Sequence, residues 1–346
     1  MTVEQTMQNI KPYVSVVIPT YNRSSILALC LDSLFNQTYP KDRYEIIIVN
    51  DGSKDNTEDV LREFEKKAPC GFIWISQKNQ GITTAENTGL SRTKGTIVCF
   101  TADDCIIDKN WISNLVNGFS NDKIGAIGGK VVSYQTNTLI QQFIEEAQIL
   151  DQEKFFKRNT LITGSAAYRK QVLTDIHGFD NFLIACEDLD LSIKTQLLGY
   201  SLRYIPDAVV YHDHPATVKG LFFQQYRNGK GYVQLHRKYG RTYNLFYVTG
   251  VYGYQILKKL LYFPFNLVYI VILKKKKYFT FKPLFLIVCE SAMILGIIRE
   301  TICGKEYKGE LIRSRIDFFT FMDRITISFL WQRLKRKFLD NNNNMQ

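Results

Sequence analysis

Two adjacent carboxylates, Asp103 and Asp104, stand just past the apolar run Thr96–Thr101, and a second acidic cluster, Glu187, Asp188 and Asp190, opens a helical pattern further along. Carboxylates held side by side repel one another unless a cation or a cationic partner neutralises them. Their hard oxygens suit Mg2+ or Mn2+ far better than zinc, and a bound diphosphate would supply the remaining oxygens. One cluster is suited to gripping a divalent cation and the other to serving as a base. That pairing is the chemistry of metal-assisted group transfer. The plainer role for Asp103 and Asp104 is a capping pair for the helix expected near Asp108.

Three other stretches put polar groups at strand ends. In Ile18-Pro-Thr-Tyr-Asn-Arg23, Pro19 ends the strand and Thr20, Tyr21 and Asn22 bring polar and aromatic groups to the sheet edge. In Val49–Thr57, Asp51 sits just past the strand and is followed by a Gly turn and a cap before a helix. A carboxylate there can accept hydrogen bonds from a base N–H or a ribose hydroxyl, although Asp-Gly-Ser is also a common turn. In Asn79–Gly89, Gly81 permits a tight approach, and the helix it opens can offer N–H groups to phosphate. Its spacing matches neither a phosphate loop nor a dinucleotide fingerprint.

The elements that must position these groups alternate. Val14–Ile18, Glu45–Val49, Phe72–Ile75 and Thr96–Thr101 are short β-branched runs of the kind that suits strands buried on both faces. Helical patterns at Ser24–Asn36, Asp55–Lys67 and Thr83–Arg92 lie between them. The fold class is α/β, with right-handed crossovers and a doubly wound sheet whose ligands bind beyond the carboxyl ends of the strands. Further on, a helix is expected over Asp108–Phe119, a strand over Ile124–Tyr134 broken at Gly128-Gly129, and one amphipathic helix over Leu139–Phe156. A helix over Glu187–Leu198 closed by Gly199, then strand signals at Leu202–Ile205 and Ala208–Tyr211, complete the pattern.

The net charge of +11 divides unevenly. Residues 1–215 carry 21 Lys/Arg and 26 Asp/Glu, a net of −5, and residues 216–346 carry 23 and 7, a net of +16. The expected organisation is a polar tail (1–12), an α/β domain (13–215) and a basic helical region (216–346). In the last, Val218–Tyr239 is a basic amphipathic helix, and two apolar segments, 260–273 and 284–298, flank Lys274–Lys277. Each is nearer 15 than the roughly 20 residues that span a bilayer. Spanning by both would put the lysine loop outside, so a hairpin in the cytoplasmic leaflet, against anionic lipid, fits better than two crossings or a buried pair. A nucleic-acid partner is not expected, because apolar runs rather than a reading motif accompany the charge. The seven scattered cysteines read as reduced thiols, and the polar N-terminus has no signal-peptide core.

Taken in order, VSVVIPTYNR, IIIVNDGSKDNT, NQGITTAENTGL, VCFTADDCIID, GSAAYRKQVLTDIHGFD and EDLDLSIKTQLLGYSLRYIPDAVVYH resemble the family 2 glycosyltransferases with the GT-A fold over about residues 13–214. The resemblance implies a nucleotide-sugar donor held near Pro19, Tyr21, Asp51, Asn79, Gly81 and Asp103, with Asp51 on the base and Asp103 on the ribose side. It implies Asp104 and His212 as ligands of Mg2+ or Mn2+, with His214 a less apt candidate, and Asp188, beside Glu187, as general base. His212 also has an ordinary packed strand-end role open to it. Charge on the leaving phosphate needs a cation and the acceptor hydroxyl needs a base, so the residues suit those roles.

Two departures stand out. Glu86 occupies a place where the family often has Arg, and Ala102 removes the first acid of the common Asp-x-Asp. Gln224-Gln-Tyr-Arg-Asn228 echoes the Gln-x-x-Arg-Trp of processive synthases but lacks the Trp, which points to one sugar per encounter. The expected activity is metal-assisted, inverting transfer of a sugar to a glycan or lipid-linked acceptor at the cytoplasmic face of a membrane. A nucleotidyltransferase or a catalytically weakened glycan- or lipid-binding scaffold are the alternatives.

Overall fold

The computed structural model describes residues 11–240, 245–272 and 277–309. Met1–Ile10, Lys274–Lys276 and the Asn341–Asn344 run, on which some sequence expectations fall, lie outside the described residues.

The first half is built as its apolar runs dictate. Strands β1 (Val14–Thr20), β2 (Tyr44–Asn50) and β4 (Ile97–Thr101) are buried along almost their whole length, and β3 (Gly71–Ser76) is a half-exposed edge. Alternate side chains go to opposite faces. Val16, Ile18, Ile46 and Ile48 join one core with Leu31 and Trp111, while Val17, Ile47, Val98 and Phe100 join the other with Tyr168, Leu173 and Leu191. Helices α1 (Ser24–Phe35), α2 (Thr57–Lys67) and α3 (Ile82–Leu90) are the crossovers, and β1–β2, β2–β3 and β1–β4 pair in parallel.

The second half makes the sheet mixed. After β5 (Cys105–Ile107) and α4 (Trp111–Asn117) come β6 (Ile124–Ser133), α5 (Leu139–Ala147), α6 (Gln152–Phe156), β7 (Ser165–Arg169), α7 (Lys170–Asp175), α8 (Glu187–Leu197) and β8 (Ser201–His212). The eight strands run β3-β2-β1-β4-β7-β6-β8-β5, with β7 antiparallel to both β4 and β6, β8 parallel to β6, and β5 antiparallel to β8. Only residues 102–104 separate β4 from β5, yet β5 pairs at the far edge. The β6–β8 register shift between Gly129 and Lys130 bends the ribbon back, so that His212 pairs opposite Cys105. The two expected strand fragments near residues 202–211 are this single bent strand.

Other boundaries differ for local reasons. The helix expected over Leu139–Phe156 is broken, because Gln148 takes a left-handed conformation (φ 53°) and Asp151 caps a new start at Gln152. The helix expected from Asp108 starts at Trp111, with the Asp108 carboxylate accepting from Asn110 N at 2.9 Å.

The basic region is docked on the sheet domain by a buried ion cluster. Helix α9 (Val218–Lys238) ends in Lys238, only 2% exposed, whose Nζ meets Asp180 at 2.6 Å and Asp190 at 2.8 Å. Tyr239 Oη donates to Asp190 Oδ1 at 2.9 Å. Removing one partner of such a cluster strands a buried charge, so Lys238→Met should lower stability by about 3–5 kcal/mol in denaturant titration. Helix α11 (Lys277–Cys303) lies against α9, where Gly229 and Gly296 allow contact with Met293 O and Tyr226 O that a Cβ would block at 2.3 and 2.1 Å. Helix α10 (Leu245–Ile272) joins α11 through Lys259 and Glu290. These helices, of 28 and 27 residues, are longer than the expected apolar segments because each continues through its polar flanks. The stretch Phe281–Cys303 is 23 residues of sufficient length and apolarity to cross a membrane.

Candidate active site

The exits of β1, β2, β3 and β4 converge at one end of the sheet. Asn22, left-handed at φ 53°, stitches the first two: its Oδ1 accepts Lys54 N at 2.7 Å and its N donates to Ser53 Oγ at 2.8 Å. Asp55 Oδ2 accepts Ser24 N at 2.9 Å and so ties the second loop to the start of α1. These bonds hold Tyr21 exposed at the rim, with Pro19 half-buried beneath it and Asn79 exposed on the β3 side.

Asp51 is buried and already well bonded. Its Oδ1 accepts Gln77 Nε2 at 2.8 Å and Gln80 N at 2.9 Å, and its Oδ2 accepts Gly81 N at 2.8 Å. Gly81 has φ +91°, a conformation other residues adopt only under strain, which lets the chain turn into α3 on top of the carboxylate. The N–H groups just ahead of α3, of Gln80 and Gly81, are therefore taken by Asp51. A carboxylate has about four lone-pair sites, so Asp51 keeps capacity for one further donor.

Asp103 and Asp104 lie in the β4–β5 turn. Asp103 Oδ2 accepts Thr20 Oγ1 at 2.8 Å, and Arg23 Nη1 bridges Asp103 Oδ1, at 3.0 Å, to Asp104 Oδ2. Burial pushes Asp103 up to about 6 against the pull of Arg23, with Asp104 adding to the rise. Burial also acts to raise Asp104, but His212 and Arg23 outweigh it and hold Asp104 below its ordinary range. His212 Nε2 stands 3.3 Å from Asp104 Oδ1, and Asp104 Oδ1 and His212 Nδ1 are buried polar atoms with no hydrogen-bond partner.

This donor set fits a divalent cation: an unpartnered carboxylate oxygen faces an imidazole nitrogen, with Asp103 adjacent. The Cys105 sulfur is within 4.8 Å of the same atoms, but burial pushes its thiol up and away from the thiolate a metal needs. The His214 ring lies tilted against that of His212, with centroids 4.6 Å apart, and burial, then His212, push it down to about 3, so it stays neutral. The two aspartates are thus not a helix cap.

A second corner forms where α8 begins. Asp188 is its second residue, partly buried, with Oδ1 accepting Leu189 N at 2.8 Å. Burial, then Glu187, push Asp188 up to about 8, with the backbone N–H groups and Arg227 pulling the other way. Glu187, 9% exposed, and Glu86, 2% exposed, each bury an Oε2 without a partner. Arg227 of α9 is a cation acting on all three carboxyls. Cys186 and Tyr168 also lie within their electrostatic reach.

Sequence reasoning brought Asp104 to His212 and Glu187 to Asp188, and it placed Pro19, Tyr21, Asp51, Asn79, Gly81 and Asp103 around the strand exits. It missed Arg23 as the cation bridging the two aspartates, although Arg23 follows the first strand exit directly. It read Arg227 only as part of an incomplete synthase motif, and Glu86 only as a departure.

Comparison with known proteins identifies the family. The Glycosyl transferase family 2 model matches residues 15–176, and the Glycosyl transferase family group 2 model matches residues 96–296. The chain belongs to glycosyltransferase family 2. Glycosyltransferase AglE of Haloferax volcanii is 32% identical over 232 residues, covering 66% of this chain and 76% of AglE. Poly-beta-1,6-N-acetyl-D-glucosamine synthase of Staphylococcus epidermidis is 30% identical over 229 residues, and the chain spans only 54% of that family 2 relative. In structure, the mannosyltransferase PcManGT of Pyrobaculum calidifontis, solved with GDP-Man and Mn2+, superposes with a TM-score of 0.62 at 19% identity, over 86% of this chain and 89% of that one. The fold is that of the GT-A glycosyltransferases.

Proposed function

We propose that the protein transfers one sugar from a nucleotide-diphosphate donor to a hydroxyl of a glycan or lipid-linked acceptor, with inversion at the anomeric carbon. The observation that carries the reading is the presence of two acidic corners of different character. One, at Asp103, Asp104 and His212, is suited to hold a cation, and the other presents a carboxylate of raised basicity at Asp188.

The donor's nucleotide would lie over the β1 and β2 exits, with its base against Tyr21 and the remaining lone pair of Asp51, and its ribose beside Asp103. Asp104 and His212 would hold Mg2+ or Mn2+, which when bound neutralises charge on the departing diphosphate. PcManGT, with its bound GDP-Man and Mn2+, supports both assignments. Asp188 would take the proton of the acceptor hydroxyl as that oxygen attacks the anomeric carbon, and Glu187 beside it keeps Asp188 basic. A single attack from the face opposite the leaving group inverts the centre.

The base must be ionised to act, so kcat/KM should rise with pH and level off above about 8. Arg227 favours the ionised form, and Arg227→Gln should move the inflection to higher pH. Arg227 is exposed and the weakest of the influences on Asp188, so turnover at neutral pH should fall by only about threefold, read from a pH–rate profile.

The basic helical region would hold the enzyme at the cytoplasmic face of a membrane. Phe223, Leu257, Leu260, Leu261 and Ile302 are more than half exposed, and the surrounding region is strongly basic, a combination that suits an anionic lipid surface. The test of the activity is a panel of GDP-mannose, UDP-glucose and UDP-N-acetylglucosamine incubated with Mn2+ at pH above 8. Release of nucleoside diphosphate supports sugar transfer, and release of sugar 1-phosphate in its place refutes it in favour of nucleotidyl transfer.

A further inference from the structure

Glu86 is a buried carboxyl on α3, 2% exposed, and its surroundings are closed from two sides. On α3 it shares a face with Thr83 and Asn87. That face is locked to the segment ahead of α8: Thr83 Oγ1 donates to Leu183 O at 3.3 Å, and Asn87 exchanges hydrogen bonds of 2.8 and 2.9 Å with Phe179 O and N. From the other side α9 closes on the same segment, with Gln234 Oε1 accepting Ile184 N at 2.9 Å and Gly231 packed against Ala185. Arg227 is one turn before Gly231 on that helix, and Gln224, whose buried Oε1 also has no partner, is one turn before Arg227.

Three carboxyls thus lie within the electrostatic reach of Arg227, itself exposed on α9, and Glu86 and Glu187 each bury an oxygen without a hydrogen-bond partner. An ionised carboxylate in that state is costly, by several kcal/mol. A neutral acid is far less so, and it offers both an O–H donor and an acceptor oxygen. A sugar hydroxyl is the complementary group, being donor and acceptor at once. Burial, then Glu187 and Asp188, push Glu86 well above its ordinary range, consistent with the neutral form.

We propose that Glu86 is a neutral carboxylic acid that hydrogen-bonds a sugar hydroxyl beside Asp188 and so selects among sugars at this corner. This deepens, and rests on, the sugar-transfer reading with Asp188 as base. A site built to bond a hydroxyl rejects an analogue lacking it, because its own polar group is left unpaired. The hydroxyl belongs either to the transferred sugar or to the acceptor.

Infrared spectroscopy of the full chain at neutral pH decides the protonation state without any substrate. A protonated-carboxyl C=O band should be present in the wild type and reduced in Glu86→Gln, and an unchanged band overturns the proposal. Kinetics with whichever of GDP-mannose, UDP-glucose or UDP-N-acetylglucosamine is turned over decide the contact. Glu86→Gln, which keeps a donor and an acceptor, should stay within about threefold of wild type, and Glu86→Ala should lose about tenfold in kcat/KM, as expected for one hydrogen bond. The loss should fall on hydrolysis of the donor in water if the transferred sugar is bound, and on the acceptor KM alone if the acceptor is. An Ala variant with unchanged donor hydrolysis and unchanged acceptor KM, or a Gln variant as impaired as Ala, overturns the contact. If no donor is turned over by the wild type, it is the sugar-transfer reading that falls, while the infrared result still decides the state of Glu86.

Discussion

Asp188→Asn loses about 10²–10⁴-fold in sugar transfer, the range expected when a positioned general base is removed. The amide keeps the size of the side chain, and its oxygen can still accept the Leu189 N–H at the start of α8, so the fold and the donor site should survive. Nucleotide affinity, read by calorimetry, should therefore stay within about twofold of wild type, because the Asp188 corner touches neither the β1 and β2 exits nor the Asp104–His212 pair. A loss confined to kcat separates a base from a binding residue. The rise of turnover with pH should also vanish in this variant, since the group that titrates on the slope is gone. Full turnover in Asp188→Asn would sink the assignment.

Asp104→Ala abolishes the response to Mn2+ or Mg2+ and lowers turnover by at least about 100-fold, as several kcal/mol of charge stabilisation are lost with the cation. The competing interaction is the bridge from Arg23, which ties both aspartates together in the described structure. A divalent cation at Asp104 must win against that guanidinium, and the unpartnered Asp104 Oδ1 facing His212 is where it can do so without displacing Arg23 from Asp103. Calorimetric titration of the nucleotide should show affinity enhanced by metal in wild type and indifferent to it in Asp104→Ala. Metal enhancement that persists in the variant would place the cation elsewhere.

The parallel half of the sheet was legible because its strands are buried on both faces, which forces continuous Val and Ile runs such as Glu45–Val49 that little else explains. The motifs at the strand exits were legible for the same reason: polar residues directly after such runs have nowhere to go but the carboxyl end of the sheet. The antiparallel strand β7 was not legible. Ser165–Arg169 opens with three small residues rather than a β-branched run, and its buried position between β4 and β6 comes from pairing distant in sequence. His212 could be suspected from the sequence, but its place opposite Cys105 depends on a register shift in β6 and β8 that no local pattern announces.

The base corner is the clearest case of information that is spatial rather than sequential. Glu86, Asp188 and Arg227 come from three elements spread over 142 positions, and the sequence marked Asp188 with Glu187 without showing that Glu86 and Arg227 come near them. What makes them a site is that α9 docks on the sheet domain through Lys238, Asp180 and Asp190, which carries Arg227 to the carboxyls. If Asp188 is the base, a variant that loosens Lys238 should also withdraw Arg227 from Asp188 and lower turnover. The helix break at Gln148 was hidden for a different reason, since an amphipathic pattern continues across it while the backbone turns through a left-handed residue.

The most direct test of the whole account is the metal switch on turnover of a nucleotide sugar by the wild-type chain. With a donor from the panel and a hydroxyl acceptor at pH above 8, nucleoside diphosphate should accumulate in the presence of Mn2+, stop on addition of EDTA and resume when Mn2+ is restored in excess. Release that continues at the same rate in EDTA would contradict the reading of Asp104 and His212 as the cation corner of a sugar transferase.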